Sequence, residues 1–202
     1  MARWKPHESR ATVTAMPSAM LFADGENLVA RYQALLKSGR EPFTDGNNCR
    51  VHHQPDVFVW RDDFWVEHGN VRRATYYTSC IGDDNIRAEV QENIRRFNLR
   101  QRDSWTALTA YVVRRSKNTG RSKGVDIKLT TDFLTHAFNR NMDTAFLMSG
   151  DGDFVPMVEE AKRYGVRVIV YAFTSGLSRD LKLASDYFYS LDDVFFNMPP
   201  QK

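Results

Sequence analysis

The chain has 202 residues, of which 42% are hydrophobic and 26% charged, values that exclude a largely disordered polymer and suit one soluble domain with decoration rather than two. The net charge of +3 is too small to declare a nucleic-acid partner, so the placement of charge must carry that argument. Two cysteines, Cys49 and Cys80, without a paired CxxC signal neither a zinc cage nor a disulfide framework, and no apolar run approaches the ~20 residues that span a membrane.

Residues 1–17 mix charge, Pro and small polar residues and read as a tail. Arg3, Lys5 and Arg10 precede a segment broken by Thr12, Thr14, Pro17 and Ser18, too polar for a signal peptide, so the expected location is cytoplasmic. One domain is expected over 18–197, with an irregular insertion at 37–70 and a short tail at 198–202. The apolar run 20–23 predicts a buried strand. Asp24, Gly25, Glu26 and Asn27 then open a helix carrying Leu28, Tyr32, Leu35 and Leu36 at helical spacing. Gly39, Pro42, Gly46, Asn47, Asn48 and Pro55 mark 37–56 as an irregular excursion, followed by a short strand at 57–60.

A β-rich aromatic run predicts a strand at 72–78, then a helix at 85–98 with Ile86, Val90, Ile94 and Phe97 on one face. A strand at 106–113 leads into a basic loop at 114–124. The next helix, 125–139, is expected to bury Ile127, Thr131, Leu134 and Phe138, and a buried strand follows at 144–148. A helix at 156–164 ends at Gly165, which accepts the left-handed cap conformation. A β-branched strand at 166–173 and an amphipathic helix at 178–191 close the chain. Strands alternating with helices at this spacing predict an α/β fold, with a parallel sheet covered on both faces and ligands at the carboxyl ends of its strands.

Four carboxylates fall at strand-to-helix junctions or helix starts: Asp24, Asp126, Asp151 and Asp153. Taken singly, Asp24 and Asp153 read as helix caps and Asp126 as a first-turn acid favoured by the helix dipole. Capping explains one carboxylate per helix and leaves Asp151 beside Asp153 unexplained. Two such charges about 4 Å apart repel by roughly 4 kcal/mol at an effective dielectric of about 20, so a cluster needs a cation or a proton. Oxygen ligands without a His or Cys cluster favour Mg²⁺ or Mn²⁺ over zinc.

Beside these acids, the segment 114–123 carries Arg114, Arg115, Lys117, Arg121 and Lys123 and no acid, which reads either as a solvated loop or as a clamp for a phosphate backbone. Arg95, Arg96, Arg100 and Arg102 extend the basic surface. His52 and His53 lack a third ligand at metal spacing. Trp60, Phe64 and Trp65 read as buried beneath the excursion rather than as a stacking platform for bases. Asp132, four residues after Lys128, reads as a helical ion pair.

With these residues in hand, the chain resembles the NYN domain, a PIN-like ribonuclease family. The likeness rests on Phe22-Ala23-Asp24-Gly25-Glu26-Asn27-Leu28, on Lys123-Gly124-Val125-Asp126-Ile127-Lys128-Leu129 and on Ser149-Gly150-Asp151-Gly152-Asp153-Phe154-Val155-Pro156. It covers about 20–36 and 71–195, and the segment 37–70 departs from the minimal core. The resemblance implies a PIN-like three-layer α/β/α sandwich around a mostly parallel sheet, and metal-dependent cleavage of RNA phosphodiesters. Carried over by motif, Asp24, Asp126, Asp151 and Asp153 are the metal-binding and catalytic acids for Mg²⁺ or Mn²⁺. Asn27 and Ser149 lie near the scissile phosphate, with Lys123 at the pocket mouth. The expected partner is RNA, single-stranded or structured, without a membrane; the oligomeric state stays open, a homodimer included. The competing readings are an RNA-binding or regulatory module with little catalysis, and a phosphatase or nuclease acting on DNA or nucleotides.

Overall fold

A computed structural model describes residues 17–44, 49–66, 70–101, 104–115 and 123–197, without the Lys123 side chain. The tails, most of the basic loop with Lys117 and Arg121, and Gly46, Asn47, Asn48 and Arg102 lie outside the described residues.

Alternation along the strands dictates the layers. In β1 (Ser18–Asp24), Ala19, Leu21 and Ala23 enter one core while Met20 and Phe22 enter the other. β7 (Thr144–Met148) and β8 (Arg167–Ala172) divide in the same way, with Phe146, Met148, Ile169 and Tyr171 on the first side and Ala145, Leu147, Val168 and Val170 on the second. Strands apolar on both faces belong in the middle of a covered parallel sheet. The sheet has seven strands in the order β5-β6-β4-β1-β7-β8-β9, adding β4 (Asn70–Ile81), β5 (Asn98–Arg100), β6 (Trp105–Arg115) and β9 (Tyr187–Ser190). All pairings are parallel except β5 with β6. Helices α1 (Gly25–Lys37) and α2 (Asp84–Arg95) cover one face; α3 (Lys123–Phe138), α4 (Val155–Arg163) and α5 (Arg179–Ala184) cover the other. The result is an α/β/α sandwich of the PIN-like kind.

Local chemistry sets the boundaries. Asp83 caps α2 by accepting the Asn85 and Ile86 N–H groups, both at 3.0 Å. Pro156 occupies the first turn of α4, where its missing N–H is harmless, and Gly165 leaves that helix at φ 85°. Gly25 begins α1 because a Cβ there would run into the Tyr76 ring and lie 2.8 Å from the Tyr77 carbonyl oxygen.

Three expectations are corrected. The insertion contains an antiparallel hairpin, β2 (Val51–Gln54) with β3 (Phe58–Arg61), and it feeds the core through Val59, Trp60, Phe64 and Val66. Trp60 and Phe64 are buried, whereas Trp65 is exposed. In α3 the buried face is Val125, Leu129, Phe133 and Ala137, while Ile127 and Phe138 are 64% and 67% exposed. The expected stripe lies one to two positions away from the true one, because this helix carries apolar residues on both. The closing helix is also shorter than expected. α5 ends at Ala184, and Asp186 then docks on β8, donating its N–H to the Val168 carbonyl at 2.8 Å and accepting the Val168 N–H at 2.7 Å. That contact starts β9, whose Tyr187, Phe188 and Tyr189 favour a pleated strand. A short helix α6 (Asp192–Phe195) follows.

Candidate active site

In this strand order the chain leaves β1 toward β4 on one side while β7 pairs on the other, so a crevice opens at the carboxyl ends of these central strands. Asp24 ends β1 and caps α1, accepting the Asn27 N–H at 3.1 Å. From β7, the Ser149 hydroxyl donates to the second Asp24 oxygen at 2.7 Å, and the same Oγ accepts the Asp151 N–H at 3.1 Å. Asn27 closes the bridge from below, its Oδ1 accepting the Gly150 N–H at 3.1 Å. Asp24, Asn27 and Ser149 are all buried.

Burial pushes the Asp24 carboxyl up to about 7. The hydrogen bonds from Asn27 and Ser149 act against that rise, and the charges of Asp126 and Asp151 add to it. The structure therefore brings Asp126 and Asp151, from two separate segments, within electrostatic reach of Asp24. Asp126 stands half-buried in the first turn of α3. Asp151, also half-buried, caps the 3-10 turn Gly152–Phe154 by accepting the Asp153 N–H at 3.1 Å. Asp153 sits within that turn and is exposed.

The donor set is carboxylate and hydroxyl oxygen, which suits a hard divalent cation, and a carboxyl raised chiefly by burial is a group that such a cation would relieve. Among the described residues, however, no group of three or more His, Cys, Asp or Glu side chains is already gathered at ligand spacing. Electrostatic coupling extends further than a coordination shell, so Asp126 and Asp151 act on Asp24 without touching it as ligands of one ion would.

Sequence reasoning missed two residues at this edge. The Ser79 hydroxyl, near the end of β4, hydrogen-bonds Glu26 in the first turn of α1. The sole signal is positional: β4 runs on past Thr78, and the carboxyl-end rule then places Ser79 at the same edge of the sheet as Asp24. Arg114 and Arg115 end β6 opposite Cys80 and Ile81. Arg114 lies 3.6 Å from Asp84, while burial raises the Cys80 thiol against the pull of Arg87, Arg114 and Arg115. Lys123 begins α3. Elsewhere, Asp132 pairs with Lys128 and accepts the Tyr77 hydroxyl at 3.0 Å, and His52 and His53 contact Asp62 and Gln33 at 2.8 and 3.1 Å. Among the described residues no helix is long and apolar enough to cross a membrane.

The model of the NYN domain family matches residues 18–192. An uncharacterized protein of Methanocaldococcus jannaschii is 34% identical over 71 residues, 35% of this chain and 30% of its own length. This chain therefore spans under a third of that relative. A crystal structure of a protein of unknown function from Vibrio parahaemolyticus aligns with a TM-score of 0.54 at 18% identity, covering 90% of this chain and 96% of that one. At that identity the likeness is one of fold.

Proposed function

The chain belongs to the NYN domain family, PIN-like nucleases that are generally ribonucleases and usually use divalent metals, and on that premise we propose that it is a metal-dependent endoribonuclease hydrolysing RNA phosphodiester bonds. The observation that carries the reading is the state of Asp24: a deeply buried carboxyl lifted to about 7, with two further acids acting on it from different segments. Structural carboxylates are seldom placed where like charges reinforce the penalty of burial.

In this reading Asp24, Asp126 and Asp151 hold Mg²⁺ or Mn²⁺, with Asp153 beside them on the same turn. A divalent cation there supplies neutralisation of charge at the phosphate and acidification of a water. The protein supplies positioning. Ser149 and Asn27 orient Asp24 and tie the ends of β1 and β7 into one frame. Asp126 and Asp151 would turn inward to complete the ligand set. Arg114, Arg115, Lys117, Arg121 and Lys123 hold the phosphate backbone, and no histidine base is required.

A second reading, an RNA-binding or regulatory module with little catalysis, is favoured by one observation: the acids are not already gathered at ligand spacing. Single-stranded RNA incubated with the protein and Mn²⁺, and in parallel with a chelator, separates the two. Cleavage lost on chelation is the expected result. Tight binding by fluorescence anisotropy without cleavage in either condition would give the module reading its case.

A further inference from the structure

A groove between α1 and the turn of the β2–β3 hairpin is lined by none of Asp24, Asp126 and Asp151. Its volume of about 340 Å³ matches a pocket for one small ligand. Glu26, in the first turn of α1, and Arg115, at the end of β6, line it toward the catalytic edge; Gln33 and Asp56 line it further along. Asp56 adopts φ 58°, a left-handed conformation that few residues other than Gly, Asn and Asp accept readily. The turn is held by a reciprocal pair: the Asp56 N–H donates to Gln33 Oε1, and Gln33 Nε2 donates to Asp56 Oδ1, both at 2.9 Å. His53 approaches the same Gln33 oxygen at 3.1 Å. Both ends of the Gln33 amide are thus engaged in holding the turn, while the exposed Asp56 carboxylate retains acceptor capacity at the groove.

We propose that this groove takes a guanine base, that of the nucleotide flanking the scissile phosphate, and that Asp56 is the specificity-determining residue. A carboxylate accepts from two adjacent donors, and guanine offers N1–H and N2–H₂ side by side on its Watson–Crick edge, where unpaired bases are read. Adenine and cytosine present one amine beside an acceptor, and uracil one N–H between two carbonyls, so each brings a lone pair against the carboxylate. Val29, Ala30 and the exposed Ile81 line the groove and offer apolar contact for the ring. The position relative to the cleaved bond rests on the nuclease reading; the base contact does not.

Titration of the isotope-labelled full chain with 5′-GMP, 5′-AMP, 5′-CMP and 5′-UMP in chelator, followed by amide NMR shifts, tests this without metal. The expected result is that 5′-GMP binds at least about tenfold tighter than the other three and shifts the Asp56 backbone amide and the Gln33 side-chain amide. Asp56→Asn keeps the left-handed turn and an oxygen for Gln33, and should lose that preference for 5′-GMP over the other three. Equal binding of the four nucleotides, shifts that bypass Asp56 and Gln33, or an unaltered preference in Asp56→Asn would each overturn the assignment. Guanine selectivity in a protein that cleaves no RNA would retain this site and remove the nuclease reading alone. Cleavage by a protein without that selectivity would do the reverse.

Discussion

The Ser149 hydroxyl donates to the Asp24 carboxylate across 2.7 Å, and through it the end of β7 is fastened to the end of β1. Because both residues are buried, removing the hydroxyl leaves a carboxylate with one donor fewer and no water to replace it. Ser149→Ala should therefore lower stability by about 1–3 kcal/mol at neutral pH, read as a shifted urea midpoint with an unchanged m-value. A midpoint equal to that of the wild type would show that this bond carries no weight in the frame.

The raised Asp24 carboxyl makes stability depend on pH in a definite direction. Between the ordinary carboxylate range and about pH 7 the folded protein keeps a proton that the unfolded chain has released. The stabilisation is complete below the unfolded value and is lost as pH rises through about 7. In chelator, the wild-type Tm should fall from about pH 5 to about pH 8, and Asp24→Asn, which carries no charge to desolvate, should flatten that decline. Parallel Tm curves for the two proteins would contradict the assignment.

The two apolar stripes of α3 separate cleanly by mutation. Phe133→Ala opens a cavity in a fully buried position and should cost about 3–5 kcal/mol, while Phe138→Ala, at a side chain 67% exposed, should cost less than about 1 kcal/mol. Chemical denaturation of both variants measures the difference, and the reverse order would restore the stripe expected from sequence.

That helix shows where sequence reading reaches its limit. Unbroken apolar runs such as Thr144–Met148 are legible because a strand covered on both faces needs nothing else. A helix with apolar residues on two faces offers periodicity without saying which face the sheet takes. β9 was hidden for a related reason: Leu181 and its neighbours begin a helical pattern, and only the contact of Asp186 with Val168, 18 residues away in sequence, ends it. At the site, Asp24 and Asp151 announce themselves as acids that end strands, whereas the Ser79 contact with Glu26 joins residues 53 apart in sequence and has no local signature. Only the fold separates Asp151, which caps the 3-10 turn and acts on Asp24, from the exposed Asp153.

The basic edge makes its own forecast. Replacing Arg114 and Arg115 together by Ser should reduce the slope of log binding constant against log salt for single-stranded RNA by about 1 to 2. An unchanged slope would remove the end of β6 from the RNA path.

The central claim is that the buried acid at the end of β1 and its partner after β7 together support cleavage. Its most direct test is the rate of Mn²⁺-dependent cleavage of single-stranded RNA by the wild type and by Asp24→Asn with Asp151→Asn, with folding of the variant checked by its thermal transition. The expected result is a folded variant whose cleavage falls by at least about a hundredfold. A folded variant that cleaves at the wild-type rate would contradict the account.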